Sequence, residues 1–214
     1  MKKKIVIPII TFFVLLLVAG GFFWWQRKQE SEVGLLNLDG ATEEIIGNKK
    51  IIKEKKSGLE MKIPKNWGIL RGGDMLGFFS PDFKLHPSVG PYMSPIPEKG
   101  CVVEVSVKKE IEGGSYDIEY SVWKEEMKKC LDSPEDCSCG ENCRYEIVKI
   151  DKLTGLKQIY FKEQEDQLPQ GEAISVKVLK GNGYIYFFET YLFSPEKESC
   201  RQQFNEILNS ISIK

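Results

Sequence analysis

Six cysteines are the residues of this 214-residue chain best placed to do chemistry: Cys101, Cys130, Cys137, Cys139, Cys143 and Cys200. Four fall in one short segment, Cys130-Leu-Asp-Ser-Pro-Glu-Asp-Cys137-Ser-Cys139-Gly-Glu-Asn-Cys143. Thiolates this close, with Asp136 and Glu141 among them, could hold zinc or copper(I). The spacing C-x6-C-x-C-x3-C is not the paired C-x2-C of a zinc knuckle, however, and no histidine lies near. An even cysteine count in an oxidising compartment reads first as disulfides. Bridges from Cys130 into the 137–143 loop, and from Cys101 or Cys200 into that loop, are the easier ones. A Cys137–Cys139 bridge would be tight, and Cys200 could equally stay a buried thiol. All six are therefore disulfide candidates of open pairing. No metal and no cofactor are expected; the alternative is a metal-binding protein using Cys130, Cys137, Cys139 and Cys143.

The single histidine, His86, lies in a stretch from Ser80 to Gly100 that holds five prolines. Such a stretch resists regular structure and forms a semi-rigid exposed loop. A general base needs a nucleophile and an orienting carboxylate, and the sequence places neither beside His86. No G-x-S-x-G, H-E-x-x-H or EF-hand phrase occurs, and Gly72-Gly73 is a turn with no Gly-Lys-Ser/Thr after it. The chain is read as a non-enzyme. Long ordered loops often carry binding, and Phe83, His86, Tyr92 and Met93 make this one the candidate binding loop.

The elements around these residues follow from hydropathy patterning. Leu59, Met61 and Ile63 alternate with polar residues and read as a strand, as do Met75–Phe79 and the Val103, Val105, Val107 series. Tyr116–Leu131 fits a helix with Val122, Trp123, Met127, Cys130 and Leu131 near one face. Strands follow at Glu146–Ile150, Leu156–Phe161 and Ile174–Val178. Gly181-Asn-Gly183 then turns the chain into Tyr184–Phe193, a strong hairpin signal. Ser194 is positioned to cap a last helix with Pro195 at its first position, and Cys200, Phe204, Ile207, Leu208 and Ile211 fall on one face of it. The expected fold class is α+β: an antiparallel sheet covered by two amphipathic helices.

Ser57-Gly-Leu-Glu-Met-Lys-Ile-Pro64-x-x-Trp67 resembles the opening of PsbP-like domains, and Phe79-Ser80-Pro81 sits where that family often has a short strand and turn. The closing Tyr184-Ile-Tyr-Phe-Phe and Phe204-x-x-Ile207-Leu208-x-Ser210-Ile211 resemble their last strand and helix. The resemblance covers about residues 57–214 and rests on packing motifs. It implies a PsbP-like sandwich of accessory character and supplies no catalytic residue. The cysteine-rich segment and the proline-rich loop depart from the pattern.

Residues 5–25 hold no charged side chain. As a helix they would reach roughly 31 Å, enough to cross the hydrocarbon core of a bilayer. Lys2, Lys3 and Lys4 before the run favour a cytoplasmic N-terminus. The expected organisation is a cytoplasmic tail at 1–4, a transmembrane signal anchor at 5–25 and a flexible tether at 26–57. An extracytoplasmic PsbP-like α+β domain at 58–214 follows. The alternative is secretion after cleavage near Gly21. The whole chain has 30 basic and 31 acidic residues. The part from 58 onward is more acidic than basic, which argues against nucleic acid as a partner. The functional expectation is a membrane-tethered accessory domain, bound to the bilayer through residues 5–25, that acts by binding a protein or ligand.

Overall fold

The computed structural model describes residues 38–73, 75–87, 95–109, 125, 128–130, 132–133, 143–162, 170–180 and 183–214. The chain divides into two compact units, Met1–Gly34 and Leu35–Lys214. The first lies outside the described residues, and with it the tail and anchor expected at 1–25. No helix among the described residues is long and apolar enough to cross a membrane.

In chain order the second unit holds β1 (Thr42–Ile46), β2 (Lys49–Glu54), β3 (Leu59–Pro64), β4 (Gly68–Gly72), β5 (Met75–Phe79), β6 (Lys84–Leu85) and β7 (Pro97–Lys99). Then come β8 (Val102–Lys109), β9 (Cys143–Ile150), β10 (Leu153–Lys162), β11 (Gly171–Lys180), β12 (Tyr184–Leu192), α1 (Lys197–Asn209) and β13 (Ser212–Ile213). They form a seven-stranded sheet in the order β4-β5-β8-β12-β11-β10-β9, a four-stranded sheet β1-β2-β3-β13, and the two-stranded β6-β7. The pairings are antiparallel, as short turns between alternating strands require.

Alternation aims Val103, Val105 and Val107 of β8, Ile174, Val176 and Val178 of β11, and Tyr186 and Phe188 of β12 to one face of the large sheet. All are at most 1% exposed. The same core takes in Ile52, Leu59, Met61 and Ile63 of the four-stranded sheet and Phe204, Ile207 and Leu208 of α1. The opposite face carries a smaller cluster in which Leu156, Ile185 and Phe187 meet Cys130. Cys130 belongs to a stretch whose described residues 128–130 are helical.

The expected α+β sheet covered by two helices is therefore corrected; the transmembrane helix expected before it lies outside the described residues. Among its described residues the unit is mostly strand, in three sheets. On the main core face, the second apolar layer is the four-stranded sheet together with α1. The stretch at 128–130 serves the other face. Most of the helix expected over Tyr116–Leu131 lies outside the described residues.

Two of the four strands of the second sheet, β1 and β2, come from the segment expected to be a flexible tether. Residues 42–54 form the β1–β2 hairpin, and Ile52 is 1% exposed in the main core. Its charged residues hid it from a hydropathy reading, because they are satisfied locally. Lys50 Nζ donates to the Trp67 carbonyl at 2.8 Å. The buried carboxylate of Glu54 accepts from the backbone N–H of Lys56 and from the N–H and hydroxyl of Ser57. Buried charge is tolerated when it is hydrogen-bonded in this way.

The start of α1 also differs from expectation. Glu196 is the N-cap and makes no side-chain cap bond. Ser194 instead donates its hydroxyl to the Gly100 carbonyl at 3.1 Å, which ties the helix entry to the turn between β7 and β8.

Candidate functional site

The proline-rich loop is knotted at its base. Ser80 N–H donates to the Cys101 carbonyl, and the Ser80 hydroxyl accepts from Cys101 N–H at 2.8 Å while donating to Asp82 at 2.8 Å. That last bond holds the Asp82 carboxyl below its usual acidity range, with Lys99 assisting. Gly100 has φ of +77°, and a Cβ there would come within 2.5 Å of the Ser80 hydroxyl and 2.8 Å of the Phe83 backbone. Only glycine closes this turn without displacing the loop. Behind the knot, Cys101 and Cys200 are joined by a disulfide that ties the start of β8 to α1. Both are buried.

The structure thus pairs Cys101 with Cys200, a pairing the sequence left open while making bridges from either into the 137–143 loop the easier ones. Cys130 and Cys143 are each disulfide-bonded as well, so neither offers a thiolate to a metal. Cys143 Sγ also accepts from the Gln158 amide at 3.3 Å. Cys137 and Cys139 lie outside the described residues, and no group of three or more metal-ligating side chains occurs among the described residues.

From this base rise β6 and β7, with His86 N–H donating to the Ile96 carbonyl at 2.9 Å. Phe83 stacks on Phe79 with ring centroids 4.7 Å apart. Where the hairpin meets the entry to α1, an open cleft of about 400 Å³ is lined by His86, Pro97, Glu98, Gln170, Phe193, Pro195 and Lys197, with Ser194 at its base. That volume is in the range of small-ligand sites. Of the expected binding-loop residues, the structure brings His86 to the cleft and leaves Phe83 against Phe79. Tyr92 and Met93 lie outside the described residues. Sequence reading missed Glu98, Gln170, Phe193 and Lys197, which converge from segments far apart in the chain. Only the Phe193-Ser-Pro195 strand-to-helix turn was visible beforehand.

A second constellation, on the face of the large sheet opposite the main core, was not foreseen either. Glu104 of β8 stands directly across from Glu189 of β12, and Ser175 of β11 stands across from Glu189 on its other side. Glu104 is 9% exposed. Burial, and next the charge of Glu189, push its carboxyl up to about 7, against an opposing hydrogen bond from Tyr191. The Tyr191 hydroxyl also donates to Glu189 at 3.3 Å. Gly77, across from Glu104 on β5, leaves room for the Phe79 ring, which a Cβ would meet at 2.9 Å. The signal for this pair was present in Tyr184–Leu192. A nearly continuous apolar run implies burial on both faces, and the glutamate inside it, Glu189, stands at a half-buried position across from the buried Glu104.

No protein-family model matches the chain, and no curated protein matches it. Several solved structures are similar to it, among them the following three. A crystal structure from Bacteroides thetaiotaomicron VPI-5482 is 14% identical over 73% of this chain and 45% of that one, with a TM-score of 0.42. This chain therefore spans less than half the length of that protein. The solution structure of cyanobacterial PsbP from Synechocystis sp. PCC 6803 is 12% identical over 79% of this chain and 95% of that one, with a TM-score of 0.43. The crystal structure of LpqN, involved in cell envelope biogenesis of Mycobacterium tuberculosis, is 8% identical over 82% of this chain and 92% of that one, with a TM-score of 0.46. A PsbP thus stands among the structures this chain is similar to. Likeness at these identities and scores says nothing of activity, ligand or partner.

Proposed function

We propose that this chain is a non-catalytic accessory domain that works outside the cytoplasm by binding a protein partner at the cleft between the β6–β7 hairpin and the entry to α1. The observation that carries this reading is the cleft itself: an open concavity with an apolar floor at Phe193 and Pro97, polar groups at its rim, and a base locked by the Ser80–Gly100–Cys101 knot and a disulfide. Preorganised walls lower the ordering cost of association. The oxidised cysteines and the uncharged run at 5–25 support a location outside the cytoplasm.

A photo-crosslinking side chain at Glu98 or Lys197, in the full chain within producing cells, tests the reading. Adducts of one defined mass are expected from both positions and not from Glu43 on the exposed β1. No adduct from either cleft position, or the same adducts from all three, would sink it.

A further inference from the structure

Folding of the chain from Leu38 onward shortens what could hold the unit away from a bilayer. Leu38 is fully buried, and its N–H donates to the Gly73 carbonyl in the β4–β5 turn. The Gly73 N–H donates to Asp39 in return, and Arg71 donates to the Ala41 carbonyl at 2.7 Å. The chain is thus fastened to that turn, and only residues 26–37 lie between it and the uncharged run at 5–25. Fully extended, that link reaches about 40 Å, against about 110 Å for the tether expected at 26–57.

The register shows what else lies at this end of the fold. Met75 faces Ser106, so β8 runs on past the β4–β5 turn to Lys109, which faces Tyr184 at the start of β12. Gly155 faces Val178, so β10 begins where β11 finishes, and the β9–β10 turn joins the same end. The β2–β3 turn of the other sheet is tied in by Tyr186, which donates to the Ser57 carbonyl, and the neighbouring C-terminal strand by Ile213, whose N–H donates to Asp151. β12 is nine residues long, about 30 Å, and the cleft residue Phe193 follows at its far end.

The two ends differ in charge. Among the described residues the first exposes Lys55, Lys56, Arg71, Lys109, Lys149 and Lys152, against Asp39, Glu43 and Asp151. Asp39 and Asp151 are each engaged by a backbone N–H, and the nearby pairs Lys53–Glu44 and Lys214–Glu60 offset each other. The far end is balanced, with Lys84, Lys99 and Lys197 against Asp82, Glu98 and Glu198. Acidic residues outnumber basic ones from Gly58 onward, so the basic end runs against the charge of the body that displays it.

We propose that the end formed by the β2–β3, β4–β5 and β9–β10 turns rests on the anionic headgroups of the bilayer that holds residues 5–25, so that the cleft opens away from the membrane. Basic residues are drawn to an anionic surface only within a Debye length, about 8 Å at physiological salt. The short link delivers this end, and not the balanced one, into that range. A second copy of the chain offers no acidic end to match it among the described residues. The inference rests on the location outside the cytoplasm proposed above and adds which way the cleft faces.

The full chain, reconstituted in vesicles of phosphatidylglycerol with a lipid bearing a nitroxide on its headgroup, tests it. A fluorescent side chain is placed at Gly40, exposed with open space around it, or at Gln170, exposed at the cleft. Quenching at Gly40 is expected to exceed that at Gln170 about threefold, since the two ends stand roughly 30 Å apart. The ratio should fall to about one in K55E/K56E/K152E and in phosphatidylcholine vesicles, where the attraction is absent. The three lysines are exposed, so the thermal melt of that variant should match the wild type.

Equal quenching at the two positions, or stronger quenching at Gln170, overturns the proposal. So does an asymmetry that neither the triple variant nor phosphatidylcholine diminishes, because the link alone would then hold the end in place. A chain that does not float with the vesicles overturns it as well. Crosslinks from Glu98 and Lys197 would in each case still support the cleft as a binding site. Their absence beside a charge-dependent asymmetry would remove the cleft and leave this surface standing.

Discussion

The two faces of the seven-stranded sheet are built from the same strands and have opposite characters. On one, Val103, Val105, Val107, Val176, Val178, Tyr186 and Phe188 meet β3 and α1 in a single cluster. On the other, one step along the same strands, stand Glu104, Glu189, Ser175 and Gln158, with an apolar cluster of Leu156, Ile185, Phe187, Cys130 and the half-buried Tyr145 among the described residues. The first face joins two sheets and a helix, so its packing decides whether the unit folds. Among the described residues the second carries the smaller apolar cluster, and it holds a buried acid.

The largest effect that can break this comparison comes from adjacent residues of β12. Phe188 is fully buried among residues of several elements, which cannot collapse into the space it would vacate. Phe188→Ala should lower the unfolding free energy by about 4 kcal/mol, whereas Phe187→Ala, in the smaller cluster, should cost about 2 kcal/mol. Urea midpoints of the two variants check this. A Phe187 cost equal to or above that of Phe188 would make the second face an equal core.

The Cys101–Cys200 bridge belongs to the main core and closes a separation of 99 residues. Removing it as C101S/C200S should cost about 3–4 kcal/mol, chiefly through the greater freedom of the unfolded chain. The measurement is the shift in urea midpoint against the wild type under oxidising conditions. A shift near zero would mean that the knot around Ser80 and Gly100 holds without the bridge.

The second face should reveal itself through pH. The Glu104 carboxyl titrates near 7 in the folded state against an ordinary 4.5. Between those values the folded chain keeps a proton that the unfolded chain has released, so stability falls as pH rises, by about 3 kcal/mol over the window. Glu104→Gln should flatten that decline. Glu189→Gln should remove only the smaller part, because burial is the larger cause and the neighbouring charge comes second. Unfolding curves at pH 4.5, 6 and 8 decide it: an unchanged slope in the Glu104 variant would show that this carboxyl is ionised throughout.

The main core was legible where one strand or helix carries its own pattern. The alternation at Leu59–Ile63 and Val103–Val107 and the spacing of Cys200, Phe204, Ile207 and Leu208 each encode one buried face, and each is found buried. The β1–β2 half of the four-stranded sheet was not legible, because β2 is Lys-Lys-Ile-Ile-Lys-Glu and keeps no period of two. Its charges find local partners that hydropathy does not register. The Glu104–Glu189 pair depends on the β8–β12 register between strands far apart in sequence, and on cover that includes Cys130. The alternation Val103-Glu104-Val105 taken alone reads as an exposed glutamate. The cleft was legible in its proline loop and His86, and illegible in Phe193, Gln170 and Lys197, which arrive from the far end of the chain.

The smallest expected effect sharpens the comparison with a matched pair of tyrosines. Tyr186, on the core face, donates its hydroxyl to the Ser57 carbonyl at 2.6 Å, across 129 residues of sequence. Burial pushes its phenol well above the usual range, so the group stays neutral at every working pH. Tyr186→Phe deletes that donor and leaves the buried carbonyl without it, at about 1–2 kcal/mol and with no change in pH dependence. Tyr191, on the second face, bonds to an acid pair that titrates. Tyr191→Phe removes a bond that favours the ionised carboxylate, so the Glu104 carboxyl should rise above about 7 and the decline in stability should extend to higher pH. The two deletions are chemically identical, and only their faces differ. A pH-dependent loss in the Tyr186 variant, or a purely pH-independent loss in the Tyr191 variant, would mean that the buried proton does not belong to the second face.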